Sequence, residues 1–363
     1  MIRFYSVPLQ VMRRYLLFLA VALMTFMALT SCSNDDSAED KKQEYTGVPL
    51  VIFDTDIGSS TDDLIALQLL HHYQDEGRCK LLGVVVDRMG EDYAKCADVM
   101  NTYYGHGDVP IGLERNGIEN PVVFFKYGHL RDLTDDDGQR LFATSVDDYT
   151  ALPDGCKLYR QVLAAQPDHS VSICSVGFVT SLAHLLESQA DEYSSLSGVE
   201  LVRRKVKCLY LMAGIFTSSE EPEYNFAQGV SFAQTFFQLW PTDVDIMFSP
   251  MEVGNSIDYK KDQVIADLSW TDRHPIKWIY ENIYVDGDGQ KMWDPLTVIQ
   301  AIDGDALFSL SERGIVTLTP KAETIFTPSA TGHCRRQQPG TTAWNQTMLE
   351  IIRKYTRMSV PFK

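Results

Sequence analysis

A chain of 363 residues, 45% of them apolar, is long enough to bury a large core, and its formal charge of −17 disfavours nucleic-acid binding because a phosphate backbone would be repelled. Seven cysteines are present but none forms a CxxC pair, which removes zinc-ribbon and thioredoxin-type readings. From Val48 onward no linker, composition shift or internal repeat divides the chain, so residues 48–363 are expected to form a single catalytic-type domain.

The first residues read as a processing signal. Arg13-Arg14 precede an uncharged, mostly apolar run, Tyr15–Leu29, which is short for a membrane span. Leu29-Thr30-Ser31-Cys32 then resembles the lipobox of bacterial lipoproteins. That resemblance implies a signal peptide over 1–31, cleavage before Cys32 and lipidation of Cys32. A plain secretory signal is the alternative. Loss of Arg3, Arg13 and Arg14 with it takes the formal charge from −17 to about −20. Residues 32–47 are polar and acidic and are expected to be a flexible tether. Together these features predict a lipid-anchored protein of the cell envelope, on the periplasmic side or the outer surface of the outer membrane, with the membrane as a partner through Cys32.

Further along, apolar runs alternate with helical patterns. Strands are expected at Leu50–Phe53, Lys80–Val86, Val109–Leu113, Val171–Ser175, Lys207–Met212 and Val244–Phe248. Helices are expected at Asp62–His72, Asp92–Tyr104, Phe178–Leu186, Ala227–Leu239 and Pro275–Tyr284. This alternation predicts an α/β fold: an open, largely parallel (mixed) sheet, Rossmann-like, flanked by helices on both faces. Gly314–Leu318, Glu323–Phe326 and Gly332–Arg335 look like short antiparallel strands, and Trp344–Tyr355 like a closing helix.

The segment Val51–Leu70 is the most informative. Asp54 and Asp56 end an apolar run, and Asp62-Asp63 open a helix after a Gly/Ser turn. Clustered carboxylates repel unless a cation or a proton lies between them, so this edge of the sheet asks for a hard metal ion. A capping box at Ser60–Asp63 and the helix dipole would account for Asp62 and Asp63 alone, leaving Asp54 and Asp56 without a structural reason.

Four blocks in order resemble the inosine/uridine-type nucleoside hydrolases: Asp54–Leu67, Ser175–Ala183, Met212–Phe226 with Glu223-Tyr224-Asn225-Phe226, and Trp293-Asp294-Pro295-Leu296. The resemblance implies the nucleoside hydrolase fold and Ca2+ as cofactor. It implies hydrolysis of the N-glycosidic bond of a nucleoside or related N-riboside to free base and ribose. Asp56 would ligate calcium and act as the catalytic general base on the attacking water. Asp63 and Asp294 would be further metal ligands, and Thr180 would contribute its backbone carbonyl. Asp62 and Asn225 would bind the ribose 2′-hydroxyl, and Glu223 would reach its 3′/5′ side. The oxygen-rich set suits calcium, and carboxylates suit an oxocarbenium-like transition state.

The chain also departs from the family's pattern. The turn between Asp56 and Asp62 is longer than in the best-known form. Trp293 stands where a His is often found, Asp87–Asp92 where an Asn is expected, and Thr217 where an Asn near the 5′-hydroxyl is expected. His129 is the candidate for leaving-group activation. Trp293 could stack on substrate, and Glu91, Asp92 and Arg88 are further candidate substrate contacts. Two rival readings are a non-catalytic, calcium-dependent sugar or nucleoside binder and a haloacid-dehalogenase-type phosphohydrolase. The second is weakened by Gly58 standing where that motif wants Thr or Val. A small-molecule riboside is the expected partner, and formation of a homo-oligomer is left open.

Overall fold

The computed structural model describes residues 45–119, 127–217, 222–285 and 287–360. The expected signal peptide, Cys32 and nearly all of the tether lie outside these residues. Among the described residues there are eleven strands: β1 (Leu50–Thr55), β2 (Lys80–Arg88), β3 (Ile111–Ile118), β4 (Val171–Ser175), β5 (Val206–Leu211), β6 (Asp245–Phe248), β7 (Asp258–Lys260), β8 (Gly289–Lys291), β9 (Gly314–Leu318), β10 (Thr324–Pro328) and β11 (Cys334–Arg336). Nine of them make one sheet in the order β10-β9-β11-β6-β5-β4-β1-β2-β3, and β7 and β8 form a separate antiparallel ribbon.

The run from β11 to β3 is parallel throughout, while β9 and β10 are antiparallel. The fold is thus the expected mixed, largely parallel α/β sheet. One detail of the tail differs from expectation. Cys334–Arg336 lies parallel to β6, with Cys334 opposite Ile246, and meets β9 in antiparallel fashion only through Cys334 and Gly314. The tail therefore extends the main sheet rather than forming its own.

Side-chain alternation sends β1 to both faces. Val51 and Phe53 enter one core cluster with the helices Asp62–Asp75 and Trp293–Asp303, while Leu50 and Ile52 enter another with Leu158, Leu182 and Leu201. Two-sided burial explains why these strands read as continuous apolar runs. The register pairs Thr55 with Val86 and Asp54 with Ser175, and Ser175 with Leu211. The carboxyl ends of β1, β2, β4 and β5 are thereby level, and the polar residues that end β1, β2 and β4 share one edge. All six cysteines among the described residues are free thiols. No helix among the described residues is long and apolar enough to cross a membrane.

Candidate active site

The turn leaving β1 is held by its own polar groups. Thr55 Oγ1 accepts from the Ile57 N–H at 3.1 Å and donates to Asp63 Oδ1 at 2.5 Å. Gly58, at φ 125°, makes the reversal that an L side chain would resist. Its N–H donates to Tyr127 Oη at 3.1 Å, and that phenol donates to the Ser60 carbonyl. The capping box expected at Ser60–Asp63 does not form. Thr61 precedes the helix Asp62–Asp75 without a side-chain cap, its hydroxyl lying 3.0 and 3.1 Å from the phenols of Tyr280 and Tyr284.

Asp62 and Asp63 are thereby aimed at the start of the helix Trp293–Asp303. Carboxylate oxygens of Asp62, Asp63 and Asp294 all lie within 4.8 Å of one another, and all three residues are buried. Asp62 accepts from Gln290 Nε2 at 3.2 Å and from the Asp294 N–H at 3.5 Å. Asp56 is outside this trio, yet its charge raises the carboxyls of Asp62, Asp63, Asp294 and Glu223. Burial pushes Asp56 up to about 6 and Asp62 up to about 7, and it raises Asp63 and Asp294 well above the usual carboxylate range. Buried carboxyls this close cannot all ionise unaided, and a hard cation with oxygen ligands is the natural partner for them.

Glu223, also buried, caps the short helix Tyr224–Gln228 by accepting from the N–H groups of Asn225 at 2.9 Å and Phe226 at 3.4 Å. Burial raises it to about 7. Asn225 Nδ2 donates to the carbonyls of Val176 at 3.1 Å and Met212 at 3.2 Å, so its amide oxygen is the atom turned elsewhere. Thr180 opens the helix Thr180–Glu187, and its hydroxyl donates to the Asp87 carbonyl. Gly177 lets this strand end approach β1, since a Cβ there would strike Asp56 N and Asp87 Oδ2.

The peripheral candidates are placed less centrally. Trp293 is half-buried, and its indole N–H donates to Asn255 Oδ1 at 2.9 Å. Glu91 begins the helix Glu91–Tyr103, half-buried, and Asp92 beside it is exposed. His129 is exposed in a 3-10 turn, its ring edge-on to Trp278 at 5.7 Å. Asp54, expected to need a cation, is instead used by the fold: it accepts from Tyr159 Oη at 2.7 Å and Ser175 Oγ at 3.1 Å. Sequence reasoning missed Gln290, which arrives on the ribbon β7–β8, and Tyr127, whose partner is the turn rather than a ligand. Neither carries a local sequence signal.

This constellation sits on a chain whose residues 51–351 match the family model for inosine-uridine preferring nucleoside hydrolase. The chain belongs to that family. It is accordingly an N-glycosyl hydrolase of the nucleoside hydrolase type. Among solved structures it is similar to a plant nucleoside hydrolase, PpNRh1, at 15% identity and a TM-score of 0.63, covering 86% of this chain and 99% of that one. It is similar as well to an inosine-uridine preferring nucleoside hydrolase from Bacillus anthracis, at 15% identity and a TM-score of 0.61, covering 85% and 100% of the two chains. A purine-preferring ribonucleoside hydrolase from Gardnerella vaginalis matches at 14% identity and a TM-score of 0.59, covering 85% and 100%. At such identities the structural likeness shows the nucleoside hydrolase fold. No curated protein matches the sequence.

Proposed function

We propose that this nucleoside hydrolase cleaves a nucleoside or related N-riboside with calcium held by Asp62, Asp63 and Asp294, and with Asp56 beside them. The observation that carries this reading is the convergence of three buried carboxylates on one point next to a fourth. When bound, a hard cation supplies positive charge that orients a water and favours loss of its proton. Asp56 then takes that proton as general base. Asp62, whose two oxygens accept from Gln290 and from the Asp294 N–H, joins the Asn225 amide oxygen in accepting from sugar hydroxyls. Glu223 holds the opposite side of the ribose. The ring of carboxylates favours the positive charge that develops at the anomeric carbon. The Thr180 carbonyl completes the oxygen set, its hydroxyl being engaged elsewhere. Trp293, Glu91 and His129 border the leaving group.

The anchor belongs to the same proposal: Cys32 and the acidic tether would hold the enzyme at the cell envelope. A second reading, a calcium-dependent binder, is favoured by one observation. The position before Asp294 is a tryptophan whose only N–H is engaged by Asn255, so no proton donor for a leaving base stands there.

Reducing-sugar release from purine, pyrimidine and nicotinamide ribosides, with calcium and with chelator, tests both. Chelator-sensitive release from any of them supports the hydrolase. Calcium binding without release supports the binder.

A further inference from the structure

Arg88 ends β2, and its side chain is wholly buried. Nη1 donates to the Asp56 carbonyl at 3.0 Å. The guanidinium carbon lies 4.0 Å from the centre of the Tyr93 ring and 5.8 Å from that of Phe178. The remaining edge, Nε and Nη2, is buried and has no hydrogen-bond acceptor among the described residues. That edge is the parallel pair of N–H bonds with which arginine ordinarily grips a carboxylate. Leaving a buried guanidinium edge unpaired is costly. What Arg88 adjoins is negative charge: the residue whose carbonyl it holds is the buried Asp56, which stands next to the buried carboxylates of Asp62, Asp63 and Asp294.

We propose that Arg88 is the internal cation of this centre, competing with a divalent metal for Asp56 and so setting how tightly the site holds that metal. Resting on the metal reading above, this makes Arg88 a positioning residue: it touches the backbone of Asp56 and acts through its carboxylate. Two positive charges drawn to the same carboxylates repel each other, and in a dry site the repulsion is little screened. The centre therefore binds calcium more weakly than its carboxylate count alone would give.

The test is calorimetric titration of calcium chloride into the full chain and into Arg88→Gln, Arg88→Met and Arg88→Lys at fixed pH and salt. Both neutral variants should bind about tenfold more tightly or better, and Arg88→Lys should stay within about threefold of wild type. In an Asp56→Asn background the gain from Arg88→Gln should fall below about threefold, which a role confined to packing would not produce. Arg88→Gln carries the test if Arg88→Met does not fold. Unchanged or weaker affinity in folded neutral variants overturns the inference, as does failure of both to fold in saturating calcium. If wild type itself takes up neither calcium, magnesium nor manganese, the metal reading falls and the inference with it. Wild-type binding without an effect of Arg88 removes the inference alone.

Discussion

Tyr159 Oη donates to Asp54 Oδ2 at 2.7 Å across 105 positions of sequence, and this bond separates the first aspartate of the amino-terminal cluster from the others. Ser175 Oγ donates to the other oxygen of the same carboxylate at 3.1 Å, and Asp87 lies beside it. Burial lifts Asp54 to about 6, while these partners pull it down. Asp54 thus ties β1 to β4 and to the helix Gly155–Ala164 beneath the site. Tyr159→Phe removes one donor from a buried acceptor, so urea unfolding should show a loss of about 1–3 kcal/mol. kcat/KM should change less than about threefold, since the phenol touches no proposed catalytic group. Unchanged stability would show that the bond is dispensable.

Asp56→Asn keeps the size of the side chain but cannot accept a proton. With Asp56 as general base, kcat should fall by about 10²–10⁴-fold while the far-UV spectrum and melting temperature are kept. Turnover at the wild-type rate would move the base to another residue. Melting temperature should not drop, because the substitution relieves the repulsion that Asp56 exerts on Asp63 and Asp294.

Metal removal offers a readout independent of turnover. A cation that binds only the folded chain stabilises it by about 2.7 kcal/mol at a hundredfold excess over Kd. Adding calcium to chelator-treated protein should raise the melting temperature, and Asp63→Asn or Asp294→Asn should remove most of that rise. A full calcium-induced shift in either variant would take that residue out of the ligand set.

The central strands were legible because burial on both faces leaves unbroken apolar runs, as in Val171–Ser175, while Gly314–Leu318 is also found with the bounds expected for it although its side chains alternate between buried and exposed. The acidic edge was legible too, since four aspartates in ten residues demand a common explanation. Which carboxylates converge was not. Asp62 joins Asp63 and Asp294 because Gln290 and the Asp294 N–H hold it, and both arrive from more than 200 residues away. The capping box failed locally: Thr61, not Ser60, precedes the helix, its hydroxyl lies against the phenols of Tyr280 and Tyr284, and Ser60 Oγ donates to Asp63 Oδ2 at 3.4 Å rather than accepting a backbone N–H. Arg88 was legible only as a candidate substrate contact after a strand, because nothing in its neighbours announces that it turns inward to the Asp56 carbonyl.

A cluster of histidines far from this chemistry should govern acid stability. His71 stacks on Tyr104 at 5.3 Å, His72 meets the same ring edge-on at 5.2 Å, and His274 shares a 2.9 Å hydrogen bond with the Tyr104 hydroxyl. His274 Nδ1 accepts from the Ile276 N–H at 3.1 Å, which requires that nitrogen to be unprotonated. Burial lowers His72 to about 4 and His274 to about 3, and it lowers His71 well below the usual histidine range. Asp75 and Glu76 pull His72 back up, while His72 and Lys277 push His274 down. The unfolded chain takes up protons near pH 6.5 and the folded one does not, so the stability these groups contribute is present above about pH 6.5 and is lost as pH falls towards 4. The buried carboxyls act oppositely, their raised values making metal-free protein less stable as pH rises through 6–7. Comparing wild type with His274→Asn at each pH cancels the carboxyl contribution, and asparagine retains a cap for the helix Pro275–Asn282. The variant should lose less stability between pH 6.5 and 4, by on the order of 1–3 kcal/mol in urea unfolding. Parallel curves for the two proteins would show that His274 does not titrate with unfolding.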